Sequence, residues 1–146
     1  MGGVIIQMDS SCSMLIKQIH LVLEKNSNNI LRSQDLTLSQ MEALWVISNT
    51  TKKQVSLKEL EKLLHIAQST TVGIVSRLEQ KGLVESFGDN SDKRIKLVKI
   101  TKLGEQVCNK AKQSMKQTED NLLSGLTEIE KDIFKSLLQK VKNTLK

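Results

Sequence analysis

The sequence predicts a mainly α fold with one small β-hairpin, and three observations predict it. The 146-residue chain has no proline and only 2% aromatic residues, so helices can run long while a β-sandwich lacks its usual material. Apolar residues recur at three- and four-residue spacing over most of its length. After Gly82 that period drops to two and stays there until Thr101. With 38% hydrophobic and 26% charged residues the chain has a foldable balance, and its length suits one domain rather than two.

The first helix is expected at residues 9–32, where Ile16, Ile19, Leu23 and Ile30 share one face with Leu15 and Val22 beside them. Asn26, Ser27, Asn28 and Asn29 weaken its later part. Thr37 and Gln40 have the spacing of a capping box and open a second helix through Met41, Leu44, Trp45 and Ile47. Trp45, the sole tryptophan, reads as a core anchor. A polar stretch at residues 49–54 ends this helix. Ser56 and Glu59 form a second box before a third helix, whose apolar side is Leu57, Leu60, Leu63 and Leu64. After a short turn at His65 and Ile66, a fourth helix covers residues 68–80 with Thr71, Ile74, Val75 and Leu78 inward. Gly82 stands where a left-handed helix terminator belongs.

Leu83, Val84 and Phe87 then read as one strand and residues 95–100 as another, joined by a polar tip at residues 88–94. Two such strands make a ribbon rather than a sheet. Thr101 starts a long helix towards Leu122 or Ser124, interrupted only weakly by Gly104. Thr127 and Glu130 form a third box before a last helix striped by Ile133, Phe134, Leu137, Leu138, Val141 and Leu145. Apolar stripes this long at both ends of a small chain need a partner to bury them.

Several function classes drop out. No apolar run is long enough to cross a bilayer, and the stretch at residues 4–6 lacks the basic flank of a signal peptide, so no membrane role and a cytoplasmic location are expected. Cys12 and Cys108 are too few and too far apart for a disulfide framework or a Cys-x-x-Cys metal site, and read as small buried apolar residues. His20 with Glu24 is the nearest approach to a metal pair, and His65 stands far from both; neither a metal nor another cofactor is expected. No Gly-rich phosphate loop, paired carboxylates or nucleophile with a supporting base suggests an enzyme. The net charge of +6 is unevenly spread: residues 52–110 carry twelve basic against seven acidic side chains, while residues 1–51 carry three against four. A basic middle suits a polyanionic partner, and a solvated lysine-rich surface would look the same, so charge alone leaves both open.

Pattern narrows the choice. Two short helices joined by a tight turn, followed by a hairpin with a basic tip, make a winged helix-turn-helix. The second helix of the pair fits a major groove, and an arginine at the hairpin tip is drawn to the negative potential of the adjacent minor groove. The runs at residues 64–71 and 76–84 resemble the recognition-helix segment of the MarR family of regulators. Asp92-Lys93-Arg94 ahead of Ile100-Thr101 is similar to that family's wing signature, and the resemblance extends over nearly the whole chain.

That resemblance implies a single unit over residues 1–146, with a winged helix-turn-helix at residues 37–100 and helical dimerisation regions at residues 9–33 and 101–146. It implies a homodimer on a near-palindromic site in double-stranded DNA. A dimer covering a promoter blocks polymerase without further contacts, which favours repression over activation. On the recognition helix the implied DNA-facing residues are Gln68, Ser69, Thr70, Val72, Gly73, Ser76 and Arg77. On the wing they are Arg94 for the minor groove, Lys93 and Lys96 for phosphates, and Asp92 as a brace paired with Arg77 or Arg94. Gly73 and Ala67 depart from the family pattern, which carries a larger side chain and a polar cap there, so DNA shape has a larger share in specificity. A small organic effector, bound between the dimerisation helices and the winged region, is the family's usual input. Two alternatives stand beside this reading: an oxidant sensor using Cys12, although no tyrosine supports that thiol, and a helical protein-interaction module, which leaves the Arg-tipped hairpin without a purpose.

Overall fold

The computed structural model describes residues 10–145 and contains six helices and three short strands in that span. In chain order they are α1 (Cys12–Ser33), α2 (Leu38–Ser48), β1 (Gln54–Ser56), α3 (Leu57–Leu64), α4 (Gln68–Gln80), β2 (Val84–Gly88), β3 (Lys96–Ile100), α5 (Lys102–Leu122) and α6 (Glu128–Thr144). The expected first residue of α1, Asp9, lies outside the described residues, as does the stretch at residues 4–6. Within them the helix begins at Cys12, where the Ser11 hydroxyl accepts from the Met14 amide at 3.3 Å. The asparagine-rich stretch at residues 26–29 does not end it.

The caps set the other helix starts. Thr37 and Gln40 bond reciprocally at 3.2 and 3.3 Å, and Thr127 and Glu130 at 3.2 and 2.9 Å. Ser56 supplies only half of its expected box. It accepts from the Glu59 amide at 3.1 Å, and among the described residues the Glu59 carboxylate makes no return bond. Gly82 takes φ +74, and the amides of Gly82 and Leu83 return to the carbonyls of Glu79 and Leu78 at 2.9 and 3.0 Å, closing α4.

The expected ribbon is a three-stranded antiparallel sheet, ordered β1-β3-β2. β1 escaped the sequence reading because three residues are too few to display a period. Its ends also carry other signals, the polar tail after α2 and the cap of α3. Val55 pairs with Val98 and is buried, so β1 seals the inner edge of the hairpin. The sheet and helices α2 to α4 close over one core, in which Leu44, Ile47, Leu60, Leu78 and Val98 are fully buried. Trp45 packs at the margin of that core rather than inside it.

Gly104 corrects a second expectation. It is no weakness in α5 but a point of contact: a Cβ there would lie 2.2 Å from the Leu83 carbonyl oxygen and 2.7 Å from Ile100 Cγ1. Both terminal stripes lie open in the single chain. Ile16 is 50% exposed, Ile133 is 53% exposed, and α6 has no buried residue at all.

Gly104→Ala is therefore expected to destabilise the fold by about 1–3 kcal/mol through overpacking, lowering the thermal midpoint by several degrees. Gly73→Ala has nothing within 4 Å to meet and is the matched control, expected to raise stability by roughly 0.5–1 kcal/mol. Thermal unfolding followed by circular dichroism reads both; equal midpoints for the two variants would remove the special role of Gly104.

Candidate nucleic-acid interface

Helix α4 divides cleanly by side. Thr71, Ile74, Val75 and Leu78 are buried, with the Thr71 hydroxyl donating to the Ala67 carbonyl at 3.1 Å. Gln68, Ser69, Thr70, Val72, Gly73, Ser76 and Arg77 are all exposed. The α3–α4 turn depends on His65, which takes the left-handed region at φ 55 and lets the Ile66 amide return to Glu61 at 3.3 Å. Ala67 stands at the cap of α4 and supplies no side-chain bond, so the first-turn amides of α4 have no side-chain acceptor from the cap.

At the wing tip the open choice for Asp92 is resolved in favour of Arg94. The Arg94 Nε and Nη2 donate to the two Asp92 carboxylate oxygens, each at 3.1 Å, and the Arg94 backbone amide adds a third bond at 3.0 Å. Arg77 takes no part in this pair. The Arg94 side chain remains 91% exposed, so the carboxylate fixes its direction without covering it. An exposed pair of this kind adds little stability, and its effect is aim. The Arg94 side chain, and then its amide, hold the Asp92 carboxyl below the ordinary carboxylate value. Beneath the pair, Ser91 donates to Asp89 at 3.1 Å and the Asp89 amide to the Ile95 carbonyl at 2.9 Å, which closes the tip. Lys93 and Lys96 are exposed on either side of Arg94.

One brace was not legible in the sequence. The Ser86 amide donates to Glu79 Oε1 at 2.7 Å, and the Ser86 hydroxyl donates to the same oxygen, tying α4 to β2 across the Gly82 turn. Glu79 looks like an ordinary solvent-facing charge until the turn folds it back.

Away from the outer side of α4 lies a cavity of about 210 Å³ between α2 and α5. The Lys112 ammonium sits 5.5 Å from the Trp45 ring centre, and Lys53 pairs with Glu105 at 2.7 Å, both on its wall. Cys108 opens onto it from the core, and burial pushes its thiol pKa up. Cys12 corrects the expectation of two buried cysteines, being exposed at the first turn of α1. His20 and Glu24 approach to 3.7 Å, and among the described residues no three His, Cys, Asp or Glu side chains gather as a metal site. No described helix is long and apolar enough to cross a membrane.

With this geometry in place, comparison with known proteins gives a consistent result. The MarR family model matches residues 36–96. The HTH-type transcriptional regulator YxaD of Bacillus subtilis is 31% identical over 81% of this chain and 77% of its own length. The multiple antibiotic resistance protein MarR of Escherichia coli is 32% identical over 84% of this chain and 87% of its own. A cysteine-to-serine variant of MarR from E. coli, solved in complex with operator DNA, superposes with a TM-score of 0.64 at 29% identity, covering 88% of this chain and 91% of that one.

The Asp92–Arg94 pair has a pH signature. A carboxyl held below its unfolded value keeps its bond above the ordinary aspartate pKa and loses it only as pH falls through the lowered one. In an NMR titration the Asp92 carboxyl carbon should turn over at lower pH than a free aspartate, with the Arg94 amide shifting in step. Arg94→Ala should move the midpoint upward, and an unchanged midpoint in that variant would disconnect the pair.

Proposed function

The chain belongs to the MarR family, and from that premise we propose that it is a sequence-specific DNA-binding transcriptional repressor that acts as a homodimer. The observation that carries this reading is the combination of an α4 surface on which all seven residues expected to face DNA are uncovered with an arginine held in fixed direction at the wing tip. Gln68 is suited to an adenine edge, and the hydroxyls of Ser69, Thr70 and Ser76 to base edges or phosphates. Arg94 enters the minor groove, with Lys93 and Lys96 on phosphates. The operator complex of the related E. coli MarR supports the DNA-binding half of the proposal.

Dimerisation follows from the open stripes. Ile16 and Ile19 on α1, with Ile133, Leu137 and Val141 on α6, expose apolar area that water disfavours. A second copy related by a two-fold axis would cover it and set the two α4 helices about 34–36 Å apart, one turn of DNA. Residues 37–100 then form the reading unit and the terminal helices the dimer interface. The effector is assigned to the α2–α5 cavity. Its volume lies below the ~300 Å³ at which pockets for drug-sized ligands begin, so it suits a single-ring organic compound against Trp45.

Fluorescence anisotropy with labelled duplex from upstream of the chain's own gene, at several salt concentrations, tests the central claim. Expected are two chains per site, affinity falling steeply with salt, and about a tenfold loss on Arg94→Ala. Equal weak binding to this and every other upstream duplex would leave only a basic surface. The sole tryptophan lines the cavity, so single-ring carboxylates and phenols that release the DNA should also change Trp45 emission. Release without any change in emission would move the effector elsewhere.

A further inference from the structure

Lys81 closes α4, and its ammonium is committed to the protein rather than to solvent. It donates to Gln40 Oε1 at 3.0 Å and to the backbone carbonyl of Asp35. These acceptors stand 41 and 46 residues earlier in the chain. Gln40 is 4% exposed, and the same Oε1 accepts from the Thr37 amide at 3.3 Å, so it is held by the first turn of α2. Asp35 lies in the left-handed region at φ 54, in the turn where the Leu36 amide returns to the Leu31 carbonyl at 3.0 Å and ends α1. One ammonium thus joins the end of α1, the start of α2 and the end of α4.

Two ordinary explanations fall short. Favourable interaction of a cation with the C-terminal end of a helix requires nearness to α4, not reach to oxygens on two other elements. Service to a phosphate requires free donors, and two of the three that an ammonium carries are spent on neutral protein oxygens here. The Glu79–Ser86 bonds tie α4 to β2, but towards α1 and α2 the Lys81 bonds stand, among the described residues, beside contacts that are otherwise apolar, and apolar contacts resist separation more than they resist sliding. The directional bonds of Lys81 supply that restraint on the α1–α2 side.

We propose that Lys81 is a positioning residue for DNA recognition, fastening the reading helix to the α1–α2 junction so that its outward side chains meet the bases in register. The proposal rests on the regulator reading. It also gives the end of α1 a polar link to the DNA-facing surface.

The test compares Lys81→Met, which keeps the apolar stem and removes every donor, with Lys81→Gln, which removes the charge and keeps a donor. Binding to the upstream duplex and to an unrelated duplex of equal length is measured across salt concentrations, with circular dichroism confirming the fold. Positioning predicts about a tenfold loss of specific affinity in Lys81→Met, a smaller loss in Lys81→Gln, and unchanged non-specific affinity and salt dependence. A phosphate contact predicts equal losses in both variants and on both duplexes, with a salt slope lower by about 0.9; that result overturns the proposal. Undiminished specific affinity overturns it as well. Amide exchange of the unbound protein separates this failure from that of the regulator reading. Lys81→Met should raise exchange at Leu36 and Gly82 together, and unchanged exchange at both overturns the link whatever the DNA result. If the unsubstituted chain fails to distinguish the duplexes, the regulator reading fails and takes the DNA role of Lys81 with it, while the paired rise in exchange would still support the fastening.

Discussion

The architecture turns on the place where four elements meet at the carbonyls of Gly82 and Leu83. The Thr101 hydroxyl donates to the Gly82 carbonyl at 2.6 Å and the Thr101 amide to the Leu83 carbonyl at 3.0 Å. The same hydroxyl accepts from the Gly104 amide at 3.0 Å, capping α5, and Gly104 alone among residue types leaves room for Leu83 to approach. The end of α4, the start of β2, the end of β3 and the start of α5 are thereby fixed within one hydrogen-bonded junction. Helix α4, the wing and α5 cannot be reoriented independently without breaking it.

Around that junction charge is used for direction rather than for stability. Asp92 aims Arg94, Glu79 receives Ser86, Lys53 reaches Glu105, and each pair is largely open to solvent. Surface pairs contribute little to the folding free energy, whereas the core of Leu44, Ile47, Leu60, Leu78 and Val98 contributes through buried apolar area. The division leaves the polar layer free to be set by orientation alone.

Much of this was legible in the sequence, for physical reasons that differ by element. Thr37-Gln40 and Thr127-Glu130 carry their own hydrogen-bond partners three residues away, so the capping boxes were readable locally. The inward set of α4 followed from period, and Gly82 from its need for positive φ. What escaped depends on distant chain. β1 gets its partner from residues 97–99, Gly104 its meaning from Leu83, and Glu79 its role from a turn that folds it onto Ser86. The exposure of Cys12 likewise reflects how α1 packs rather than what a cysteine ordinarily prefers.

The empty space over Gly73 has a consequence for how such a chain can change. A Cβ added at that position meets nothing within 4 Å beyond its own turns of helix, and the helical backbone there accepts any residue but proline. Alteration of the outer side of α4 here is therefore uncoupled from the packing beneath it. If α4 reads DNA as proposed, a single codon change at this site alters the target without disturbing the fold.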